Sequence, residues 1–279
     1  MAQVDVIIPT FNRARRVLRA VSSVLSQTFT DFEIYVVDDG STDDTQEVLK
    51  RFKERIHYLG RPFNAGVSAA RNLGIKKSTS PLIAFLDSDD YWLPRKLAFQ
   101  VDFFRNRPQA LICQTEEIWI RNGRRVNPKK RHAKPSGDIF RPSLGLCLVS
   151  PSAVMLKRSL LQEVGLFDET LPACEDYDLW LRIASRHPVA LIPEPLVVKE
   201  GGHPDQLSSR HKGMDRFRIK ALLNLIERET LTMEQLQATV ETLAEKSLIY
   251  GRGCLKRGRT REARFYLQLP KRIEERFKG

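Results

Sequence analysis

The sequence predicts an α/β fold in which a mostly parallel β-sheet carries helices on both faces, followed by a helical C-terminal region. Over the first ninety of the 279 residues, short apolar runs alternate with amphipathic segments at the spacing of strand–helix units. One run, Leu82–Leu86, is apolar at every position, as expected of a strand buried on both faces. From about Asp215 the pattern becomes purely helical. Strands joined through helices form right-handed βαβ units, so the first strands should run parallel.

The N-terminal elements follow one another in a regular order. The first helix has the clearest stripe, because Val17, Val21 and Val24 recur at helical spacing. The second helix opens with capping residues and acids in its first turn. In chain order the predicted elements are strand "VDVIIPT", helix "RARRVLRAVSSVLSQ", strand "FEIYVVDDGS", helix "STDDTQEVLKRFKE", strand "IHYLG", helix "GVSAARNLGIKK" and strand "LIAFL".

The middle third of the chain predicts a hairpin followed by mixed elements. Asn122 and Gly123 interrupt two apolar runs with the residue pair typical of a type I′ turn. Residues 151–192 then predict a strand, a helix, a turn, a helix and a strand, and "LAEKSLIYGRGCLKRGRTREARFYLQL" predicts a helical hairpin. We therefore expect a main domain over residues 1–214, with a division near residue 110, and a basic helical region over residues 215–279.

Composition is that of a soluble globular protein, with 42% hydrophobic residues. No apolar run approaches the roughly 20 residues that span a bilayer, and "MAQVDVIIPT" lacks the basic start of a signal peptide. The four cysteines stand far apart without a CxxC pair, which argues against a structural zinc site or a disulfide framework. These features lead us to expect a cytoplasmic protein.

The net charge of +12 indicates an anionic partner. Residues Arg121–Lys134 contain seven Lys or Arg and no acid, and Lys246–Gly279 contain eleven Lys or Arg and three acids. Neither stretch interleaves aromatic side chains with its charges, as a groove for single-stranded nucleic acid would. Each stretch is open to two interpretations, a solvated basic face or a contact with an anionic surface.

Polar side chains follow three of the predicted strands, at the point where each strand ends. Ligands of open α/β sheets bind beyond the carboxyl ends of the strands, so these groups should gather at one site. Asp87, Asp89 and Asp90 suit a hard divalent cation such as Mg²⁺ or Mn²⁺, which takes oxygen ligands. The alternative is that these acids cap the next helix. The three groups are Pro9-Thr10-Phe11-Asn12, Asp38-Asp39-Gly40-Ser41 and Asp87-Ser88-Asp89-Asp90.

Further charged residues are candidates with two interpretations each. Arg71 lies on the inward arc of its helix, where a guanidinium needs an anionic partner: an acid such as Asp39, or a ligand. Glu175 and Asp176 begin a later helix. Acids at this position either take part in catalysis or stabilise the helix by complementing its dipole. His203, in a Gly-Gly-His-Pro loop, is either a third metal ligand or an exposed side chain.

Five segments together resemble family 2 glycosyltransferases, which adopt the GT-A fold. They occur in the order and spacing of that family from about Val4 to the loop at Asp205, roughly three quarters of the chain, and the helices after Asp215 lie outside the resemblance. The segments are "VIIPTFNR", "SVLSQTFTDFEIYVVDDGSTDDT", "NAGVSAARNLGI", "IAFLDSDDYW" and "EDYDLWLRIA".

The resemblance implies a role for each matching residue. In such enzymes the first two strand ends and the arginine of the Ala-Arg-Asn-x-Gly motif line the nucleotide pocket. The first acid of the DxD motif contacts ribose, the last coordinates the metal, and the aspartate of the Glu-Asp motif is the catalytic base. The carried-over residues are Pro9, Thr10, Phe11, Asp39, Arg71, Asp87 and Ser88 for the nucleotide sugar, Asp89 for the metal, Asp176 as base and Glu175 for steering the acceptor.

The implied reaction is transfer of one sugar from a nucleotide sugar, expected to be a UDP-sugar, to a glycan or lipid-linked acceptor in bacterial surface glycan synthesis. Mn²⁺ or Mg²⁺ is the implied cofactor, and one base acting in one in-line displacement inverts the anomeric configuration. The Gln-x-x-Arg-Trp motif of processive synthases is replaced by "DQLSSRH", so transfer of a single sugar is expected. Residues 1–110 would bind the nucleotide and residues 111–214 the acceptor, with peripheral contact to the inner face of the cell membrane.

Rival functions account for fewer of these features. A nucleotidyltransferase would share the sheet and the metal site, but it typically carries a glycine-rich phosphate loop after the first strand, where "PTFNRARR" has no glycine. A dinucleotide-dependent dehydrogenase would show GxGxxG there. A basic module that binds membranes or nucleic acid without catalysis is the alternative from another class, and the acidic strand ends disfavour nucleic acid in that cleft.

Overall fold

The computed structural model describes residues 2–127, 129–202 and 213–278. The strands in these ranges are β1 (Val4–Thr10), β2 (Phe32–Asp38), β3 (His57–Gly60), β4 (Leu82–Phe85), β5 (Tyr91–Trp92), β6 (Ile112–Arg121), β7 (Arg124–Val126), β8 (Val154–Lys157) and β9 (Ala190–Gly201). The α-helices are α1 (Ala14–Leu25), α2 (Thr45–Leu49), α3 (Val67–Lys77), α4 (Lys96–Asn106), α5 (Phe140–Gly145), α6 (Arg158–Val164), α7 (Glu175–Ala184), α8 (Asp215–Arg228), α9 (Met233–Lys256) and α10 (Thr260–Lys278).

The described strands form one sheet in the order β3-β2-β1-β4-β8-β6-β9-β5, with β7 paired to β6. Strands β1 to β4 pair in parallel, as the alternating pattern predicts. Strand β8 then runs antiparallel to both β4 and β6, whereas β9 runs parallel to β6. The predicted α/β class is confirmed, and the sheet as a whole is mixed because antiparallel strands join it after residue 90.

Each face of the sheet has its own apolar layer. In β1, Val4, Val6 and Ile8 point to the layer that contains α1 and α4, and Ile7 points to the layer that contains α3. Successive side chains of a strand alternate between faces, so a run of apolar residues requires cover on both sides. All four side chains are fully buried.

A glycine brings α3 close to the sheet. A Cβ atom added at Gly74 would lie 2.6 Å from Cγ2 of Ile7, which is too close for a real contact. The missing side chain therefore lets α3 pack tightly on β1. This close packing puts Arg71, one helical turn earlier, next to the carboxyl ends of the central strands.

The C-terminal helices share a core with the main domain. Phe217 of α8, Leu243 of α9 and Ala263 of α10 belong to the same buried apolar cluster as Ile7 of β1. Helix α9 starts with a capping box, in which the side chains of Thr232 and Gln235 each accept a hydrogen bond from the other residue's backbone N–H. The two or three helices expected after residue 215 are three in the described part of the chain.

Two local predictions have different outcomes. Asn122 and Gly123 have φ values of 51° and 74°, as the predicted type I′ turn between β6 and β7 requires. By contrast, the helix predicted to follow the acids of β4 begins only at Lys96, and Tyr91–Trp92 pairs with β9 as a short strand. Pro94 accounts for the late start, because a proline disfavours helical backbone at the residue before it.

None of the helices that the structure describes combines the length and apolar character needed to cross a membrane.

Candidate active site

A cavity of about 370 Å³ lies at the carboxyl ends of the central strands, between the sheet and the first turn of α7. Its walls contain every residue to which the family resemblance gives a role, and His203 lies outside the described residues. Four members of the strand-end groups do not line it: Asn12, Asp38, Gly40 and Ser41. Strands β1, β2 and β4 contribute through residues at or just after their carboxyl ends, α3 through residues up to Arg71, and α7 through its first turn. The predicted residues that line the cavity are Pro9, Thr10, Phe11, Asp39, Arg71, Asp87, Ser88, Asp89, Glu175 and Asp176.

Asp39 is held by backbone donors at the start of α3. Its carboxylate accepts hydrogen bonds from the N–H groups of Ala65 (3.1 Å) and Gly66 (2.7 Å), and Arg61 approaches it to 3.4 Å. Burial raises the pKa of Asp39, and the two N–H groups oppose that rise. One edge of the carboxylate is therefore fixed by the chain while the residue still lines the cavity.

Arg71 joins two acidic groups on opposite walls of the cavity. Its Nη2 donates to Asp87 and its Nη1 to Glu175, each at 2.7 Å, and only 3% of the side chain is exposed. The expectation that Asp39 would be its protein partner is wrong, because Asp39 is already occupied by backbone donors. Of the two interpretations left open by the sequence, the ion pair is present.

The acids that follow β4 have different surroundings. Asp90 is buried, accepts from Ser152 Oγ at 2.6 Å and from the Glu200 N–H at 3.1 Å, and burial raises its pKa well above the ordinary value. Asp89 is more exposed and accepts from Arg13 Nη1 at 2.6 Å. Asp87 and Asp89 both face the cavity, so two carboxylates are available to a ligand there.

The oxygen atoms of Asp87 and Asp89 fit a hard divalent cation. Mg²⁺ typically binds through one or two carboxylates and completes its coordination with phosphate oxygens and water. No group of three His, Cys, Asp or Glu side chains with metal-site geometry occurs within residues 2–127, 129–202 and 213–278. Two carboxylates are the donor set of an open site that substrate phosphates and water would complete.

Glu175 and Asp176 begin α7 after a residue with left-handed backbone, Cys174, at φ 63°. Asp176 Oδ1 accepts from the N–H of Tyr177 at 2.7 Å, and its Oδ2 accepts from Cys147 Sγ at 3.6 Å. Glu175 is 4% exposed, and burial raises its pKa to about 7, with the nearby Asp176 carboxylate acting in the same direction and Arg71 against both. A carboxyl group poised near neutral pH is typical of functional sites.

The sequence model called Glycosyl transferase family 2 matches residues 5–165, more than half of the chain. The chain belongs to glycosyl transferase family 2. The resemblance inferred from the sequence motifs is thereby confirmed, and the glycosyltransferase is selected over the nucleotidyltransferase and the non-catalytic binding module.

Curated members of the family match most of the chain. An uncharacterized glycosyltransferase of Rickettsia bellii is 38% identical over 188 residues, which cover 67% of this chain and 27% of that protein. The Escherichia coli UDP-Glc:alpha-D-GlcNAc-diphosphoundecaprenol beta-1,3-glucosyltransferase WfgD is 32% identical over 190 residues, covering 68% of this chain and 72% of WfgD. The chain spans 27% to 59% of the length of five Rickettsia relatives that it matches.

Solved structures of glycosyltransferases share the fold. Residues 1–349 of Staphylococcus aureus TarS, in complex with UDP-GlcNAc, superpose with a TM-score of 0.68 at 17% identity, covering 98% of this chain and 92% of that one. Mannosyltransferase PcManGT of Pyrobaculum calidifontis, in complex with GDP-Man and Mn²⁺, gives a TM-score of 0.63 at 17% identity, covering 97% and 84%. At such low identity these matches show the fold, and the predicted GT-A fold is confirmed.

Several cavity residues of this family 2 chain escaped the sequence analysis. Arg13 follows β1, and Lys199 and Glu200 lie near the end of β9, the strand that pairs with β6 in parallel. Polar or charged residues at the end of an apolar run predict the site residues at β1, β2 and β4. The same signal in "PLVVKEGG" would have found Lys199, had the position of β9 in the sheet been known.

We expect Arg71→Ala to lower the free energy of unfolding by about 3–5 kcal/mol at pH 8.5, the usual cost of leaving a buried charge unpaired. The loss should be smaller at pH 5.5. In the native chain the raised pKa of Glu175 favours folding at low pH, and this contribution is lost as the pH rises towards 7. Without Arg71 the pKa of Glu175 rises further, so the stabilising contribution of its raised pKa keeps falling at pH values above 7. The Arg71→Ala chain therefore loses more stability at pH 8.5 than at pH 5.5.

Urea unfolding at the two pH values measures this difference. Glu175→Gln introduced into the Arg71→Ala chain should recover part of the stability at pH 8.5, because it removes the unpaired charge. An equal loss at both pH values would contradict a role for the Arg71–Glu175 pair in stability.

Proposed function

We propose that the chain is an inverting glycosyltransferase that moves one sugar from a nucleotide sugar to an acceptor hydroxyl. The observation that carries the proposal is that one cavity contains both the acids that follow β4 and the acids that begin α7. Transfer needs a positive charge near the leaving diphosphate and a base near the acceptor hydroxyl. Two separate acidic groups in one cavity can meet both needs.

The donor proposed is a UDP-sugar, bound by Pro9, Thr10, Phe11, Asp39 and Ser88 together with the Arg71–Asp87 pair. WfgD of Escherichia coli is named for a UDP-Glc donor, and the similar TarS structure contains UDP-GlcNAc. The side-chain hydroxyl of Thr10 supports a ligand at this end of the cavity. It is buried and makes no hydrogen bond with any described residue, and such groups usually have a partner.

Asp87 and Asp89 would hold Mn²⁺ or Mg²⁺, with His203 as a further candidate ligand outside the described residues. When bound, the cation neutralises charge that develops on the leaving diphosphate. PcManGT, a structural neighbour, contains Mn²⁺. In the chain alone, Arg13 pairs with Asp89 and Arg71 with Asp87, and these ion pairs hold both carboxylates at the wall of the cavity.

Asp176 is the proposed base. The acceptor oxygen attacks the anomeric carbon, its proton passes to the Asp176 carboxylate, and the bond from the anomeric carbon to the diphosphate oxygen breaks. Arg71 holds the carboxylate of Glu175, and from that position Glu175 would orient the acceptor. A single displacement of this kind inverts the anomeric configuration and needs no glycosyl-enzyme intermediate.

We further propose a lipid-linked acceptor in bacterial surface glycan synthesis, with transfer of a single sugar at the inner face of the cell membrane. WfgD is named for a diphosphoundecaprenol-linked acceptor. In the proposed division, residues 1–110 bind the donor, residues 111–214 bind the acceptor, and residues 215–279 face the membrane. The C-terminal half of α9 supports the last assignment, since it exposes apolar and basic side chains together: Leu248, Ile249, Arg252, Leu255 and Lys256.

Asp176→Asn tests the chemistry. Asparagine keeps the size and the capping ability of aspartate, so a residue that only stabilises α7 should tolerate the change. A base should not, and we expect turnover to fall roughly a hundredfold or more while UDP affinity stays near that of the unsubstituted chain. Calorimetry with UDP and a sugar-transfer assay on the same preparation separate the two. Unchanged turnover would remove Asp176 from the mechanism and leave the family membership intact.

Asp89→Ala tests the cation site. The expected result is loss of the gain in UDP affinity that Mn²⁺ confers, with little change in melting temperature, because a partly exposed acid contributes little to the core. Asp102→Ala, which removes an exposed acid of α4, is the matched control and should bind UDP with Mn²⁺ as the unsubstituted chain does. Retention of the Mn²⁺ effect in Asp89→Ala would exclude Asp89 as a ligand.

Charge reversal of Arg252 and Lys256 to Glu tests the membrane contact. Each basic residue near an anionic surface is worth about 1 kcal/mol, so the double variant should bind anionic vesicles at least tenfold more weakly. Reversal of Arg51 and Arg55, two exposed residues near α2, is the control and should have little effect. Co-sedimentation that does not depend on the anionic lipid content would refute the contact.

A further inference from the structure

The positively charged side chains that line the cavity differ in whether they form ion pairs with carboxylates of the protein. Arg71 makes two ion pairs of 2.7 Å, with Asp87 and Glu175, and Arg13 makes one of 2.6 Å with Asp89. These contacts direct both guanidinium groups at the protein's own carboxylates. An anion that entered the cavity would have to compete with those carboxylates for either arginine.

Lys199 is arranged differently. It lies near the end of β9, opposite Trp119 of β6, and it lines the cavity. Its Nζ donates to one described group, the neutral hydroxyl of Ser150, at 3.1 Å. No described carboxylate forms an ion pair with it within 4.0 Å. An ammonium group has three N–H donors, so two of them are not used by the described part of the chain.

The surrounding acids keep Lys199 charged. Burial alone would lower the pKa of its ammonium group, but the fields of Glu117, Asp90, Asp87 and Asp176 outweigh burial and raise it. These carboxylates act from a distance, and several have nearer partners. Glu117, for example, accepts from Trp119 Nε1 at 3.0 Å and pairs with Lys134 at 3.1 Å. The ammonium group is therefore charged and retains free hydrogen-bonding capacity.

We propose that Lys199 binds the diphosphate of the nucleotide sugar and holds it in the cavity independently of the divalent cation. This inference rests on the proposed function, since it specifies how the donor binds. Lys199 lines the same cavity as the acids that follow β4 and as Asp176, and it is within reach of the electrostatic fields of both groups. A phosphate oxygen is the natural acceptor for the two unused N–H donors. A fixed cation also offsets the repulsion that the surrounding carboxylates exert on a diphosphate.

A purely structural Lys199 would behave differently. It would offset the charge of Glu117 and help to hold β9 against β6, in addition to the ion pair that Lys134 makes with Glu117. Its removal would then loosen the cavity for every part of the nucleotide, including the nucleoside. A residue that binds phosphate affects ligands with a phosphate group and leaves the nucleoside alone, and this difference separates the two roles.

The experiment is calorimetry with UDP and with uridine, in excess EDTA and separately with Mn²⁺. The variants are Lys199→Met, Lys199→Arg and the control Lys134→Met, which removes a buried lysine of the same Glu117 network that does not line the cavity. We expect Lys199→Met to weaken UDP at least tenfold in EDTA and to leave uridine within twofold. Lys199→Arg should restore most of the UDP affinity, and Lys134→Met should change neither ligand.

Each of the other possible results would overturn the inference. An equal loss of UDP and uridine in Lys199→Met would overturn the inference in favour of the structural role, and so would unchanged UDP affinity in EDTA. A loss of UDP affinity in Lys134→Met as large as in Lys199→Met would do the same. If the unsubstituted chain bound neither UDP nor uridine, the proposed UDP-sugar donor would fall, and the inference with it. Normal UDP binding by both the unsubstituted chain and Lys199→Met would overturn the role of Lys199 and leave the proposed UDP-sugar donor in place.

Discussion

The two ion pairs of Arg71 determine how the walls of the cavity stand relative to each other. Asp87 belongs to the edge of the sheet and Glu175 to the first turn of α7, and apolar packing between such elements is not directional. The planar guanidinium group adds direction, because its N–H groups point at fixed angles. Gly74 supports this arrangement by letting α3, which carries Arg71, approach β1 closely. An acid that follows β4 and an acid that begins α7 are thus linked by one side chain.

The cavity gathers more acids than it can leave ionised without compensation. The structure reduces their repulsion in two ways. Asp87 and Asp89 are paired with arginines, whereas burial raises the pKa values of Asp90 and Glu175 and so favours their protonated forms. A diphosphate would add further negative charge to this balance. The cavity can accept it only with added positive charge, which explains why a divalent cation and the free N–H groups of Lys199 would act at the same place.

The sequence predicts those parts of the site that local units build. Thr10 ends β1, and Asp39 and Asp87 come just after β2 and β4, so their places at the sheet edge follow from the alternation of strands and helices. Of the two partners of Arg71, Glu175 could not be predicted, because it lies 104 residues further along the chain. Lys199 could not be predicted for the same reason. Its position depends on the pairing of β9 with β6, which no local pattern indicates.

The two walls of the cavity also differ in whether local units or long-range contacts form them. The wall formed by β1, β2 and β4 rests on strands that pair in parallel without register shifts. The opposite wall rests on α7 and β9, and the β6–β9 pairing contains register shifts on either side of Glu116. Such irregularities re-aim side chains without changing the rest of a sheet. The two walls are joined by Arg71 and by the hydrogen bond from the Glu200 N–H to Asp90. The second contact uses a backbone donor, so a chain of this fold can change side chains of the α7–β9 wall while the strand-end acids stay in place.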